Sequence, residues 1–196
     1  MNQQVKELLY QMLETEMGGL QIYSTALECA LNDDLRKEWE KYHQETQHHV
    51  EVVQELFSKL KLDPAVSTPG RQVVHHLGES LVKAMKMAKQ SAPPEAAQLV
   101  ACECVVLAET KDHMNWELLS KCAESARGEE KKALDAACEE VEDEEDEHIY
   151  HSKGWCRELW IQSLGMPAVL PPPEEEKHVK TAIGAARAEQ EREKML

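Results

Sequence analysis

Six ionisable residues interrupt stripes that are otherwise apolar at helical spacing. In residues 3–31 the stripe Val5, Leu9, Leu13, then Leu20, Tyr23, Leu27 is broken at its middle by Glu16. In residues 34–61 the gap between Tyr42 and Val52 holds Glu45 and His48. In residues 95–126 the gap between Val105 and Trp116 holds Glu109, and in residues 129–164 the gap between Val141 and Trp155 holds Glu145 and His148. A carboxylate on a buried stripe is expensive unless it is paired or bound to a metal. Mid-helix positions on four packed helices fall in one layer, so four Glu and two His would meet there and invite two metal ions. Glu at i and His at i+3 lie about 4.5 Å apart along a helix axis and on nearly the same face, so both can ligate one ion. Carboxylate with imidazole suits iron or manganese better than thiolate-seeking metals.

Glu-x-x-His by itself is a weak signal. It occurs four times, at Glu40/His43, Glu45/His48, Glu145/His148 and Glu175/His178, and chance would supply one or two in a chain with 30 Glu and 9 His. Position on the stripe selects the second and third pairs. An internal repeat adds weight: Tyr23 follows Glu16 by seven residues, and Trp116 follows Glu109 by seven. The second hairpin then reads as a copy of the first with seven extra residues, two helical turns, before its Glu-x-x-His. Asp112, His113 and His151 are further candidates beside the layer, Glu144 and Glu147 offer another register on the last helix, and Glu103 competes with Glu109. Tyr23, Tyr42 and Trp116 flank the proposed ligands. Gly18-Gly19 either makes room beside Glu16 for a ligand or a close helix, or is slack. His75-His76 reads as an exposed pair.

The elements that must position these groups are helices. The chain has 196 residues, a net charge of −15 and an aromatic fraction of only 5%. Thirty acids are Glu and seven are Asp, and Glu is the better helix former. The pattern predicts an all-α fold of four long helices in two antiparallel hairpins. A crossover over 62–94, with its own short helix near 71–90, joins them. The bundle spans 1–165, and 166–196 is a proline-containing linker with a charged helical tail. The acidity argues against nucleic acid and anionic membrane surfaces as partners, and no run of 18 apolar residues exists. The polar N-terminus and six cysteines without a CxxC pair fit a reduced, cytoplasmic setting.

Over roughly residues 5–160 this pattern resembles the ferritin-like di-iron carboxylate superfamily, in which two helices each give a Glu and two give Glu-x-x-His. The short spacings are most similar to rubrerythrin-like and bacterioferritin-like proteins. The resemblance implies a ferritin-like four-helix bundle with two Fe ions (or Mn) held by Glu16, Glu45, His48, Glu109, Glu145 and His148, with Glu45 and Glu145 bridging. It implies reaction with O2 or peroxide, in ferrous iron oxidation (ferroxidase), peroxide reduction (peroxidase) or oxygenation of a small organic substrate (oxygenase), with an external electron donor, and a homo-oligomer, dimer or larger. Two departures stand out. No four-Cys rubredoxin motif is present, and Asp112 stands where rubrerythrins carry an additional Glu. The rival reading is a helical interaction or iron-binding protein without redox turnover.

Overall fold

The computed structural model describes residues 1–172; the expected charged tail lies outside the described residues. The described chain is all-helical, with α1 Gln3–Leu27, α2 Asp33–Lys59, α3 Pro69–Ser91, α4 Pro94–Ser125 and α5 Gly128–Ser163. Each start has a local cause. Asn2 accepts from the Val5 amide at 2.9 Å and Asn32 from Asp34 and Leu35, relieving orphan donors of the first turn. Thr68 caps α3, and Pro69 and Pro94 open α3 and α4, where a missing N–H costs nothing. Helix α1 ends four residues before the expected 31. The Arg36 guanidinium donates to the Leu27 and Ala30 carbonyls, and Gln98 Oε1 of α4 accepts from the Leu31 and Asn32 amides. Those side chains take over the hydrogen bonds a further helical turn would have made.

Packing closes α1, α2, α5 and α4 into a ring in which α1 meets α2 and α4, and α5 meets α2 and α4. Helix α3 lies outside that ring against α1 and α4. It is the helix expected near 71–90 of the crossover, extended by a residue or two at each end to 23 residues, close to the 25 of α1. Gly78 lies within it facing Gly18 of α1, where a Cβ would make only an ordinary 3.9 Å contact with the Gly18 Cα.

Two apolar half-cores fill the bundle. One holds Tyr23, Trp39, Tyr42, Val105 and Trp155, with Met85 from α3. The other holds Leu9, Leu13, Leu56, Phe57, Leu119 and Leu134. Between them the interior turns polar, with buried Glu16, His49, Glu109, Asp112, Glu145 and His148.

The two adjacent glycines of α1 separate in role. A Cβ on Gly19 would come within 3.1 Å of the Thr46 side chain, whereas nothing lies within 4 Å of one on Gly18. Gly18→Ala is therefore expected to stabilise the fold by about 0.5–1 kcal/mol through helix propensity. Denaturant unfolding measures this, and a loss of stability would show that Gly18 is needed for the α1–α3 approach.

Candidate metal centre

Four helices supply the polar layer. Glu16 comes from α1, His49 from α2, Glu109 and Asp112 from α4, and Glu145 and His148 from α5. Glu109 and Asp112 are three apart, as are Glu145 and His148, so each pair shares a helix face. Two groups within this layer have donor atoms all within 4.8 Å of one another: Glu16 with Asp112 and Glu145, and His49 with Glu145 and His148. Glu145 belongs to both.

The sequence-derived set is thus gathered in part. Glu16, Glu109, Glu145 and His148 are in the layer. His48 is not: its side chain is 46% exposed and pairs with Glu140 at 3.3 Å. His49, fully buried, occupies the interior instead. The register explains the correction. Counting from Leu35, one row of buried residues on α2 runs Leu35, Trp39, Tyr42, Thr46, His49, Val53, Leu56, alternating four and three, with Val50, Val52 and Phe57 buried beside it. Glu45/His48 sits one residue off that row, about 100° round the helix. The unbroken alternation was the signal available for His49. Glu45 stands at the rim, half-buried, with Oε2 3.0 Å from His148 Nε2 and Oε1 3.5 Å from Lys41. The interior position on α2 that mirrors Glu145 is Thr46, and Asp112 supplies a fourth buried carboxyl in its stead.

The remaining candidates fall elsewhere. His113 pairs with Asp146 at 2.8 Å, Glu103 accepts from Trp160, and Glu147 binds Lys41 at 2.5 Å. His151 meets the Tyr42 hydroxyl at 3.0 Å.

Both interior imidazoles are oriented by a carboxylate. His49 Nε2 lies 2.8 Å from Glu144 Oε2, and His148 Nε2 lies 3.0 Å from Glu45 Oε2. An ionised carboxylate only accepts, so Nε2 carries a proton in each ring, and in the neutral form of the ring the Nδ1 lone pair faces the layer. His49 Nδ1 is 2.9 Å from Glu145 Oε1 and 3.7 Å from Glu16 Oε2, and His148 Nδ1 is 3.7 Å from Glu109 Oε2. Despite the 2.9 Å separation the angles make no hydrogen bond, and both atoms are left without a partner. The lone pairs converge on shared space.

The internal repeat has a structural meaning. Tyr23 of the first hairpin donates to Glu109 of the second at 2.7 Å, and Trp116 of the second donates to Glu16 of the first at 2.9 Å. Each aromatic thus fixes one oxygen of the opposite carboxyl and leaves the other, Glu109 Oε2 or Glu16 Oε2, unsatisfied.

Burial dominates the electrostatics. It lifts the carboxyls of Glu16, Asp112 and Glu145 well above their ordinary range, and their mutual repulsion adds to this. Glu109 is raised to about 7, chiefly by burial, with the Tyr23 hydrogen bond and His49 acting against it. Burial and then His49 push the His148 imidazole well below its ordinary value. Four carboxyls so placed are neutralised either by protons or by cations. No protein-family model, curated protein or solved structure matches the chain.

Proposed function

We propose that this layer holds two divalent metal ions, iron or manganese, in a ferritin-like carboxylate centre that reacts with O2 or peroxide. One observation carries the reading. Six buried polar atoms at the layer, Glu16 Oε2, His49 Nδ1, Glu109 Oε2, Asp112 Oδ1 and both oxygens of Glu145, have no hydrogen-bond partner. Buried polar atoms are rarely left so, and these are lone-pair donors clustered in one place. The donor set fits: four carboxyls and two imidazoles suit iron or manganese, and four negative charges balance two divalent ions.

Glu16, Asp112 and Glu145 would hold one ion, and His49, Glu145 and His148 the other, with Glu109 beside His148. A bound pair would supply electrons to O2 or peroxide by passing between its divalent and trivalent states. The chain's own groups do the rest. Glu144 and Glu45 hold the imidazoles in one tautomer. Tyr23 and Trp116 fix the rotation of Glu109 and Glu16. The two apolar half-cores keep bulk water from the layer. The ring order of α1, α2, α5 and α4 with a long crossover supports the ferritin-like assignment, which differs from the sequence pattern in using His49 and Asp112. An external electron donor, a small organic substrate and a homo-oligomer remain part of the proposal.

The test is to load the protein with ferrous iron without oxygen, count metal per chain, and admit air. Uptake of about two ions and a new near-ultraviolet band on oxygenation support the reading. Less than half an ion per chain, with no spectral change, sinks it in favour of a helical interaction protein. The repeat offers a finer check. Tyr23→Phe and Trp116→Phe are each expected to weaken metal binding about 10–100-fold while leaving ligand number unchanged; competition with a chelator reads this, and unchanged affinity would remove their orienting role.

A further inference from the structure

Outside the polar layer, α1, α3 and α4 enclose a cavity of about 370 Å³. Its walls are chiefly apolar, with Ile22, Val74, Leu77, Leu81, Leu107 and Ala108 among them. A 150 Å³ apolar cavity accommodates benzene, so this one has room for a chain of about ten carbons. Gly18 lies in the wall, where nothing stands within 4 Å of the Cβ it lacks. Leu77 and Leu107, at 54% and 60% exposure, mark where the cavity opens to solvent. Large apolar side chains lining an open cavity mark a ligand site more often than slack packing.

The charges of the lining are not all satisfied alike. Glu14 binds Arg71 and His75, each at 2.7 Å, and Glu79 lies 3.5 Å from His75. Arg71 neutralises Glu14, while Glu79, turned to solvent, has only the His75 ring. Lys111, half-buried in the same wall, donates to the Asn115 amide oxygen and forms no ion pair among the described residues. Asn115 is in turn anchored by donating to Thr15 Oγ1 at 3.0 Å. In a chain of net charge −15, this lysine feels the neighbouring Asp112 charge but has no carboxylate in contact with its ammonium among the described residues, so a place beside the apolar cavity is open for one.

We infer that the cavity between α1, α3 and α4 binds an apolar monocarboxylate of medium chain length, its chain against Ile22, Val74 and Leu81 and its carboxylate on Lys111. A carboxylate there would give the ammonium a charge-assisted bond that a neutral head group cannot match. The apolar wall would take the chain. This inference does not depend on the metal reading, because the cavity is lined by none of the six layer residues.

Decanoate is the probe, titrated calorimetrically into the full chain before and after chelator treatment, with 1-decanol and decylammonium as comparators. Decanoate is expected to bind in both preparations, about tenfold more tightly than decanol, with decylammonium weakest. Lys111→Met should remove the preference for decanoate over decanol, and Lys111→Arg should keep it. Gly18→Leu projects into the open space and should weaken decanoate and decanol alike by tenfold or more, with helix content and melting temperature undiminished. Equal binding of decanoate and decanol to the unaltered chain, or no effect of Gly18→Leu, would overturn the inference. A dimer that Gly18→Leu dissociates, with no decanoate bound, would overturn it too, by giving the groove to a second copy. Loss of iron uptake with decanoate binding intact would leave this site standing while the metal reading fell.

Discussion

Glu145→Ala is expected to abolish binding of both metal ions, because Glu145 is the one residue common to the two groups of converging donors. Loss of an orienting partner alone costs about 10–100-fold in affinity, so loss of this ligand should cost at least the upper end of that range for each ion. Metal analysis after reconstitution reads the outcome directly. Glu145→Gln separates ligand loss from misfolding. The amide fills the same volume without a buried charge, so the metal-free variant should be at least as stable as the parent at pH 8, yet should still fail to take up two ions. The histidines sharpen the comparison. His49→Ala should deplete metal, while His48→Ala, altering an exposed ring paired with Glu140, should not. Equal depletion by the two would show that the register of α2 differs from the one described. Full uptake by Glu145→Ala would end the two-ion reading.

The second large effect concerns pH. In metal-free protein the folded state holds protons on Glu16, Glu109, Asp112 and Glu145 that the unfolded chain has already given up. A folded-state value above the unfolded one favours the native state at low pH, and that contribution is lost as pH rises through the folded value. For Glu109 the window runs from its ordinary 4.5 to about 7, which alone is on the order of 3 kcal/mol. His148 acts in the opposite sense. Its value is depressed in the folded state, so it destabilises the native state only as pH falls below its ordinary 6.5. Above 6.5 His148 drops out, and the exposed His75, whose value its hydrogen bond to Glu14 raises, acts in the same direction as the carboxyls. Metal-free protein should therefore lose stability as pH rises from 6.5 through about 7, where Glu109 ionises. Metal-loaded protein should lose less, since the ions take the ionised carboxylates the apo fold disfavours. The melting-temperature difference between the two forms should widen with pH. A flat metal-free profile, or a difference that narrows, would mean that protons are not what balances the layer.

Much of this was legible in the chain itself. Stripes of alternating three and four spacing placed the four ring helices, because an amphipathic helix must repeat its apolar residues near 3.6 to reach a core. Glu16, Glu109 and Glu145 were conspicuous because each interrupts such a stripe. The matched seven-residue steps to Tyr23 and Trp116 were visible too, but not that each aromatic reaches across to the other hairpin's carboxyl. That exchange links residues about a hundred positions apart, and no local spacing encodes it.

What the sequence determined alone was helix content, hairpin order and a polar interruption at mid-bundle, since periodicity and breakers act within a few residues. The tertiary structure decided which neighbour turns inward. Glu45/His48 and Thr46/His49 differ by one residue on α2, and only packing against Gly19 and the facing Glu145 selects the second. It also seated α3 outside the ring against α1 and α4, and it drew Asp112 into the layer where Thr46 leaves a carboxyl missing. A helix face is a matter of 100° per residue, and that angle is fixed by contact with other helices.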